Sequence, residues 1–131
     1  MITLEDAERV VSGARAKAEQ LGQPVDIAVV DAGRELKAFV RMDGALLGSI
    51  DVAIGKAFTA ASFQLATRDL APIAQPGEPL FGIHATNGGR IVIFPGGIPL
   101  EQDGEVVGAV GVSSGTVEQD QAVAEAGVAA F

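Results

Sequence analysis

The sequence contains no cysteine, tryptophan or tyrosine, and only six phenylalanines among its 131 residues. Without cysteine the chain forms neither disulfides nor thiolate metal sites, and its redox compartment cannot be read from thiols. No basic region followed by an apolar one opens the chain, and no apolar run approaches the roughly 20 residues that cross a bilayer. A cytoplasmic protein, or one from which an export signal has been removed, fits these absences.

Basic residues are also few, since nine lysines and arginines face 17 acidic residues and the formal net charge is −8. They are scattered singly and form no stripe, which argues against a nucleic-acid or anionic-membrane surface. Almost half of the residues are apolar, so the chain can bury a core. We therefore predict a single domain spanning residues 1–131, with a core of Ala, Val, Ile and Leu and a small molecule as its partner.

The first half of the chain predicts two helices around a hairpin. Thr3 is a natural N-cap, and apolar residues recur at helical spacing up to Gly22. Residues 25–30 and 35–41 predict two strands joined by a turn. Ser49 is expected to cap a second helix, residues 50–66, which is apolar on nearly every side and should need a partner subunit to cover its outer face. A short extra turn is predicted at residues 67–70, followed by a loop over 71–89.

The second half predicts further strands and a final helix. Residues 91–94 and 104–112 are short apolar runs typical of buried strands. Gly108 and Gly111 indicate that another element packs very close to the second run. Thr116 and Gln119 form the pattern of a capping box, which starts the last helix. Strands joined by hairpins, with helices between them, indicate an α+β fold on an antiparallel sheet.

Six short motifs in order resemble the GlcG/HbpS family of haem-binding-like proteins, which includes the C-terminal domain of PduO-type proteins. They are IAVVD at 27–31, RMDGA at 41–45, KAFTA at 56–60, GGIP at 96–99, GAVGVS at 108–113 and EQD at 118–120. The resemblance implies a profilin-like fold, with a five-stranded antiparallel sheet and helices on both faces, and a homo-oligomer from dimer to octamer. Members of the family are linked to haem, to corrinoid-related metabolism and to the use of small hydroxy acids. Arg34 and Ser114 stand where the family tends to have glycine.

Three cationic or acidic side chains are the first candidates for a ligand site. Lys56 is the lone cation within the apolar second helix, so it pairs with a carboxylate such as Asp51, extends to an edge, or faces a ligand anion. Arg41 and Asp43 close the hairpin, either as a salt bridge or as a clamp for a carboxylate.

The remaining candidates lie in loops and at the start of the last helix. Gly96 and Gly97 either expose backbone N–H groups to a ligand oxyanion or make a tight connection. His84, the only histidine, is either solvated, a haem or metal ligand, or a general base. Glu118 and Asp120 suit the N-terminal end of a helix dipole, which explains them without a function, or else serve in acid–base chemistry or metal binding.

These residues support three functional hypotheses. The first is a small-molecule-binding protein whose ligand, haem or another carboxylate-bearing compound, lies near Arg41, Asp43, Lys56 and the glycine pair at a subunit boundary. The second is an enzyme of small hydroxy-acid or aromatic-acid catabolism, in which Lys56 or Asp43 is catalytic and transfers protons. The third is an accessory or scaffold oligomer without catalysis.

Overall fold

A computed structural model describes all 131 residues. Its helices and strands, in chain order, are α1 (Leu4–Leu21), β1 (Asp26–Asp31), β2 (Leu36–Arg41), α2 (Ser49–Phe63), α3 (Thr67–Leu70), β3 (Gly97–Gln102), β4 (Glu105–Ser113) and α4 (Val117–Ala130). Single 3-10 turns occupy Ala71–Ala74, Ile83–Ala85 and Asn87–Gly89. None of the helices is both long and apolar enough to cross a membrane.

The four strands form one antiparallel sheet in the order β2-β1-β4-β3. The α+β prediction is thus confirmed, whereas the expected fifth strand is wrong. Residues 91–94 pair with no strand, because their backbone and side chains bind the neighbouring helices instead. The Val92 N–H donates to Thr59 Oγ1 at 2.9 Å, and the Ile91 side chain packs against Phe58 and Leu70.

Helices cover both faces of the sheet. Side chains alternate along β1, so that Ile27 and Val29 pack in the larger core with α1 and α4. Ala28 and Val30 point the other way and pack against the alanines of α2. The period-2 alternation of a strand therefore gives one apolar face to each helical layer.

The first and last helices pack against each other through glycine. A Cβ added at Gly13 of α1 would lie 2.5 Å from the Cβ of Ala130 of α4, and one at Gly127 would lie 3.1 Å from the Val10 carbonyl oxygen. Both helices begin with capping boxes, Thr3 with Asp6 in α1 and Thr116 with Gln119 in α4. The sequence predicts Thr3 as an N-cap and Thr116 with Gln119 as a box.

α2 lies against β4 at very close range. A Cβ at Gly111 would stand 2.1 Å from the Ala53 carbonyl oxygen, as the sequence predicts for this glycine. The chain itself covers part of the outer side of the helix, since Phe58 packs with Leu70 and Ile91 and nine of the 15 residues are buried. Val52 and Ile54 remain partly exposed and Phe63 is 39 % exposed, so the cover expected from a partner subunit stays a prediction.

Both predicted ends of α2 differ from those observed. Ser49 makes no capping hydrogen bond and is itself the first helical residue, with Gly48 at the N-cap. The helix ends at Phe63 rather than at residue 66, because Gln64 adopts a left-handed conformation with φ of 52°. The short helix at residues 67–70 and the hairpin of β1 and β2 agree with the prediction.

Candidate functional site

The ammonium of Lys56 is fully buried and charged. Its side chain has no exposed surface, and its Nζ donates to the Val112 carbonyl oxygen at 2.8 Å and to Asp120 Oδ2 at 3.0 Å. The Asp120 side chain is 3 % exposed, and its Oδ1 accepts the Gly115 N–H at 2.9 Å. Lys56 of α2, the end of β4 and the first turn of α4 are thereby joined by one buried ion pair.

The bend before β3 closes over this ion pair. A Cβ added at Gly96 would stand 2.7 Å from Lys56 Nζ, and one at Gly97 would stand 2.4 Å from the Lys56 carbonyl oxygen. The ring of Phe94 lies over the ammonium, with its centroid 5.0 Å from Nζ. Glycine at both positions is therefore required for the bend to approach the lysine, and the half-exposed Phe94 separates the ammonium from solvent.

Burial weakens the charged form of both partners. It lowers the pKa of the Lys56 ammonium and raises the pKa of the Asp120 carboxyl, while the contact between the two groups opposes both changes. Buried ionisable pairs with shifted pKa values occur in active sites and in structural ion pairs alike. The arrangement can therefore hold a proton between a carboxylate and an amine, or stabilise the contact between α2, β4 and α4.

The partner of Lys56 is not the one that the sequence suggests. Asp51 is exposed and donates or accepts no bond with Lys56. Five positions along a helix turn the side chain by about 140° beyond a full turn, which puts Asp51 on the opposite side. From the sequence, Asp120 is explained by the helix dipole, or by acid–base chemistry or metal binding, and is not paired with Lys56. Its pairing joins residues 64 positions apart, which no local spacing reveals.

The structure does not bring Arg41 and Asp43 to Lys56. Arg41 lies on the edge strand β2, across β1 from β4. Lys56 binds Val112 on the other side of β4, where the Val112 N–H donates to the Gly96 carbonyl oxygen. Arg41 and Asp43 form no ion pair with each other either, and both are exposed.

The backbone N–H groups of the glycine pair already have partners within the chain. Gly96 donates to Gln121 Oε1 at 3.2 Å, and Gly97 donates to Thr67 Oγ1 at 2.9 Å. These two bonds fix the bend against α3 and α4, so the structure favours the tight connection over a free oxyanion cradle. The role of Gly96 and Gly97 toward a ligand stays a prediction.

His84 lies in a different region from the buried ion pair. The imidazole is exposed and contacts the ring of Phe81 edge to face, with 5.8 Å between the ring centroids. The preceding residue, Ile83, packs against the cluster of Phe58, Leu70 and Ile91 on the outer side of α2. His84 belongs to no group of three metal-ligating side chains, since no such group occurs in the chain.

A buried carboxylate that the sequence analysis did not identify stands at the start of β1. Asp26 is fully buried, and neither of its carboxylate oxygens has a hydrogen-bond partner. Its cross-strand neighbours on the same face of the sheet are Arg41 of β2 and Ser113 of β4. Burial raises the pKa of the Asp26 carboxyl, and the charge of Arg41 opposes the rise. In the sequence, Asp26 looks like an ordinary polar residue at the end of a strand, so its burial could not be predicted.

Replacing Asp26 by the isosteric leucine is expected to raise the free energy of unfolding at pH 8 by about 1–2 kcal/mol, because two unpaired buried oxygens are removed. The pKa of Asp26 is higher in the folded state than in the unfolded state. The favourable contribution of the protonated carboxyl to folding is therefore complete below the unfolded pKa. It is lost as the pH rises through the folded pKa and the buried carboxyl ionises. The advantage of Asp26→Leu over the wild type should therefore shrink on acidification toward about pH 4. Urea unfolding across this pH range measures both effects.

The exposed Asp51→Leu is the matched control, and its effect should be small at every pH. If Asp26→Leu were less stable than the wild type at pH 8, the carboxylate of Asp26 would have a partner in solution.

Comparison with known proteins identifies relatives over almost the whole chain. The family model described as "Haem degrading protein HbpS-like" matches residues 2–129. A Citrobacter freundii protein, described as an uncharacterized 15.0 kDa protein in the dhaT-dhaS intergenic region, is 43 % identical over 99 % of this chain and 92 % of its own length. The crystal structure of a PduOC:heme complex superimposes with a TM-score of 0.95 and 37 % identity, covering 99 % of this chain and 94 % of that one.

One relative is much longer than this chain. The corrinoid adenosyltransferase PduO of Salmonella typhimurium is 37 % identical over 99 % of the chain, but the match covers only 39 % of PduO. The chain thus spans about two-fifths of that enzyme.

Proposed function

Because the chain belongs to the HbpS-like family, we propose that it binds haem or another carboxylate-bearing compound near a boundary between subunits. The resemblance noted in the sequence is thereby the premise of the proposal. The observation that supports it is the haem complex of PduOC, a protein that shares 37 % of its residues with this chain and superimposes with a TM-score of 0.95. PduO is named a corrinoid adenosyltransferase, and we do not propose that activity for this chain.

Several residues are proposed to contact the ligand, and they lie at three places on one subunit. Lys56, Gly96 and Gly97 stand together at the end of β4, Arg41 and Asp43 follow the edge strand β2, and His84 lies outside α2. We propose that one ligand reaches more than one of these places where two copies of the chain meet. This separation favours a ligand held between subunits.

Apolar side chains that the subunit leaves exposed support assembly into a homo-oligomer. Leu46 and Leu47 in the loop before α2 are 64 % and 70 % exposed, and Phe81 is 58 % exposed. Phe81 is also the residue that contacts His84. Burial of these side chains between copies would remove apolar surface from water, and in the case of Phe81 it would do so beside the proposed iron ligand.

Titration of the apo protein with haemin is expected to give a saturable shift of the Soret band, because the proposed site holds the macrocycle in one environment. His84→Ala should shift the band maximum and weaken binding if the imidazole ligates the iron. The exposed Glu78→Ala in the same segment is the matched control and should leave the spectrum unchanged.

The absence of any saturable shift in the wild type would contradict haem as the ligand. A wild-type band that His84→Ala leaves in place would retain haem but remove His84 from the iron.

The enzyme hypothesis changes in one respect. Lys56 as a proton-transfer group would act with Asp120, since Asp43 is exposed and is not among its partners. Access to the ammonium would require movement of Phe94, whose ring covers it. The subunit is closed at that point, so contact of a ligand with Lys56 requires the same movement of Phe94 as proton transfer does.

A further inference from the structure

Two guanidinium groups lie against one buried aromatic ring. The Cζ atoms of Arg34 and Arg90 are 4.7 and 3.7 Å from the ring centroid of Phe58. Phe58 belongs to α2 and is 3 % exposed, Arg34 ends the turn between β1 and β2, and Arg90 follows the last 3-10 turn. Three distant parts of the chain thus bring two exposed cations to the same place.

Neither guanidinium has an acidic partner. The five ion pairs of the chain involve other residues, although acidic residues outnumber basic ones by 17 to 9. Arg34 makes only long contacts with neutral oxygens, Ser62 Oγ at 3.4 Å and Asn87 Oδ1 at 3.3 Å. Arg90 donates no side-chain hydrogen bond within the chain. The planar donor groups that suit a carboxylate therefore remain available.

The backbone at Arg34 is in a conformation that disfavours arginine. Its φ is 71°, in the left-handed region, where a residue with a Cβ is less stable than glycine. An arginine in this conformation is an outlier of the kind that accumulates at functional sites. The turn would form more easily with glycine, so backbone stability does not explain the arginine. We therefore expect its guanidinium to have a function.

A cavity of about 480 Å³ adjoins Arg90 on the outer side of α2. Val52, Ile54 and Val92 supply apolar walls, and Asp51 is the one carboxylate that lines it. A ligand with an apolar body fits these walls. Its anionic end would avoid Asp51 and turn toward the arginine.

We propose that Arg34 and Arg90 form a carboxylate-binding site at the edge of this cavity. The ring of Phe58 holds the two guanidinium groups in place, so that each can donate two parallel N–H groups to a carboxylate. Where the ligand is haem, which rests on the proposed function, the two arginines take its propionates and the apolar walls contact the macrocycle. A free organic acid offers the same chemistry with one carboxylate.

The experiment compares haemin with haemin dimethyl ester, which lacks the charged carboxylates, by Soret titration. The wild type is expected to bind haemin at least about ten-fold more tightly than the ester, as charge-assisted hydrogen bonds to both propionates imply. Arg34→Gly and Arg90→Gln should each remove most of that difference. Arg15→Gln, which changes an exposed arginine of α1, is the matched control and should preserve it.

Arg34→Gly separates binding from folding, because glycine suits a φ of 71° and the variant should keep the thermal stability of the wild type. A calorimetric titration with benzoate completes the design. Binding of benzoate that Arg90→Gln abolishes, together with no binding of haemin, would retain the arginine site and overturn haem as the ligand. Equal affinity for haemin and its ester, unchanged in both arginine variants, would overturn the arginine site and retain haem. If the protein binds neither haemin nor benzoate, both proposals are overturned.

Discussion

Replacing Gly111 by alanine is expected to reduce the free energy of unfolding by about 3 kcal/mol or more. The new Cβ would stand 2.1 Å from the Ala53 carbonyl oxygen and 2.5 Å from the Ala57 backbone nitrogen. Both atoms belong to the backbone of α2, so no side chain can rotate away, and the helix must move off the sheet. That movement opens the contact of Ala28 and Val30 with the helix. Chemical denaturation of the purified variant measures the loss.

Gly48→Ala is the matched control, because no atom lies within 4 Å of the position of its Cβ and its φ of −61° suits alanine. Its stability should stay within about 0.5 kcal/mol of the wild type. A Gly111→Ala variant as stable as Gly48→Ala would mean that α2 sits farther from β4 than the structure places it.

Replacing Lys56 by methionine is expected to reduce the free energy of unfolding by about 3–5 kcal/mol, because Asp120 is then left buried without its cation. The methionine keeps most of the length and apolar character of the lysine stem. The loss of unfolding free energy therefore measures the effect of removing the charge and not that of creating a cavity. The Val112 carbonyl oxygen also loses its donor. Urea unfolding at pH 7 measures the change, with Lys17→Met on the partly exposed face of α1 as a control of small effect.

The double variant Lys56→Met with Asp120→Asn completes a mutant cycle. It should be more stable than Lys56→Met alone, since no unpaired charge remains buried and the asparagine oxygen can still accept the Gly115 N–H. The cycle also needs Asp120→Asn alone; if the losses of the two single variants simply add in the double variant, Lys56 and Asp120 do not interact in solution.

Local patterns predicted the elements of this fold more reliably than their pairing. The capping boxes of α1 and α4 and the hairpin of β1 and β2 follow from residues within a few positions of one another. Residues 91–94 look like a strand because they are apolar and β-branched. The sequence cannot show that Thr59, 33 positions away, binds the backbone of Val92 in place of a neighbouring strand.

The sequence indicated which residue of the candidate site is unusual, but it did not indicate which residue binds it. Lys56 is conspicuous as one cation within an apolar helix, and its burial beside Gly96 agrees with that expectation. Asp120 could not be chosen as its partner, because an acidic residue at the start of a helix has a sufficient local explanation. Asp26 carries no local signal at all, since its burial depends on how the sheet and its connections meet.

The two positions at which the resemblance implies glycine, Arg34 and Ser114, both have left-handed backbone conformations. Arg34 has a φ of 71° and Ser114 a φ of 108°. The Ser114 hydroxyl accepts the Leu46 N–H at 3.0 Å, which ties the loop before α2 to the end of β4. In each case a side chain with an identifiable contact offsets a backbone conformation that glycine would adopt without strain.

The contact of α1 with α4 also constrains how the chain reaches its fold during synthesis. The backbone of the first helix approaches the last one closely, at Gly13 and Gly127, and more than a hundred residues separate these two glycines in the sequence. A ribosome must therefore release nearly all of the intervening residues before the first helix can dock. Until then its apolar side is open to water, and the nascent chain is expected to depend on protection from chaperones at that stage.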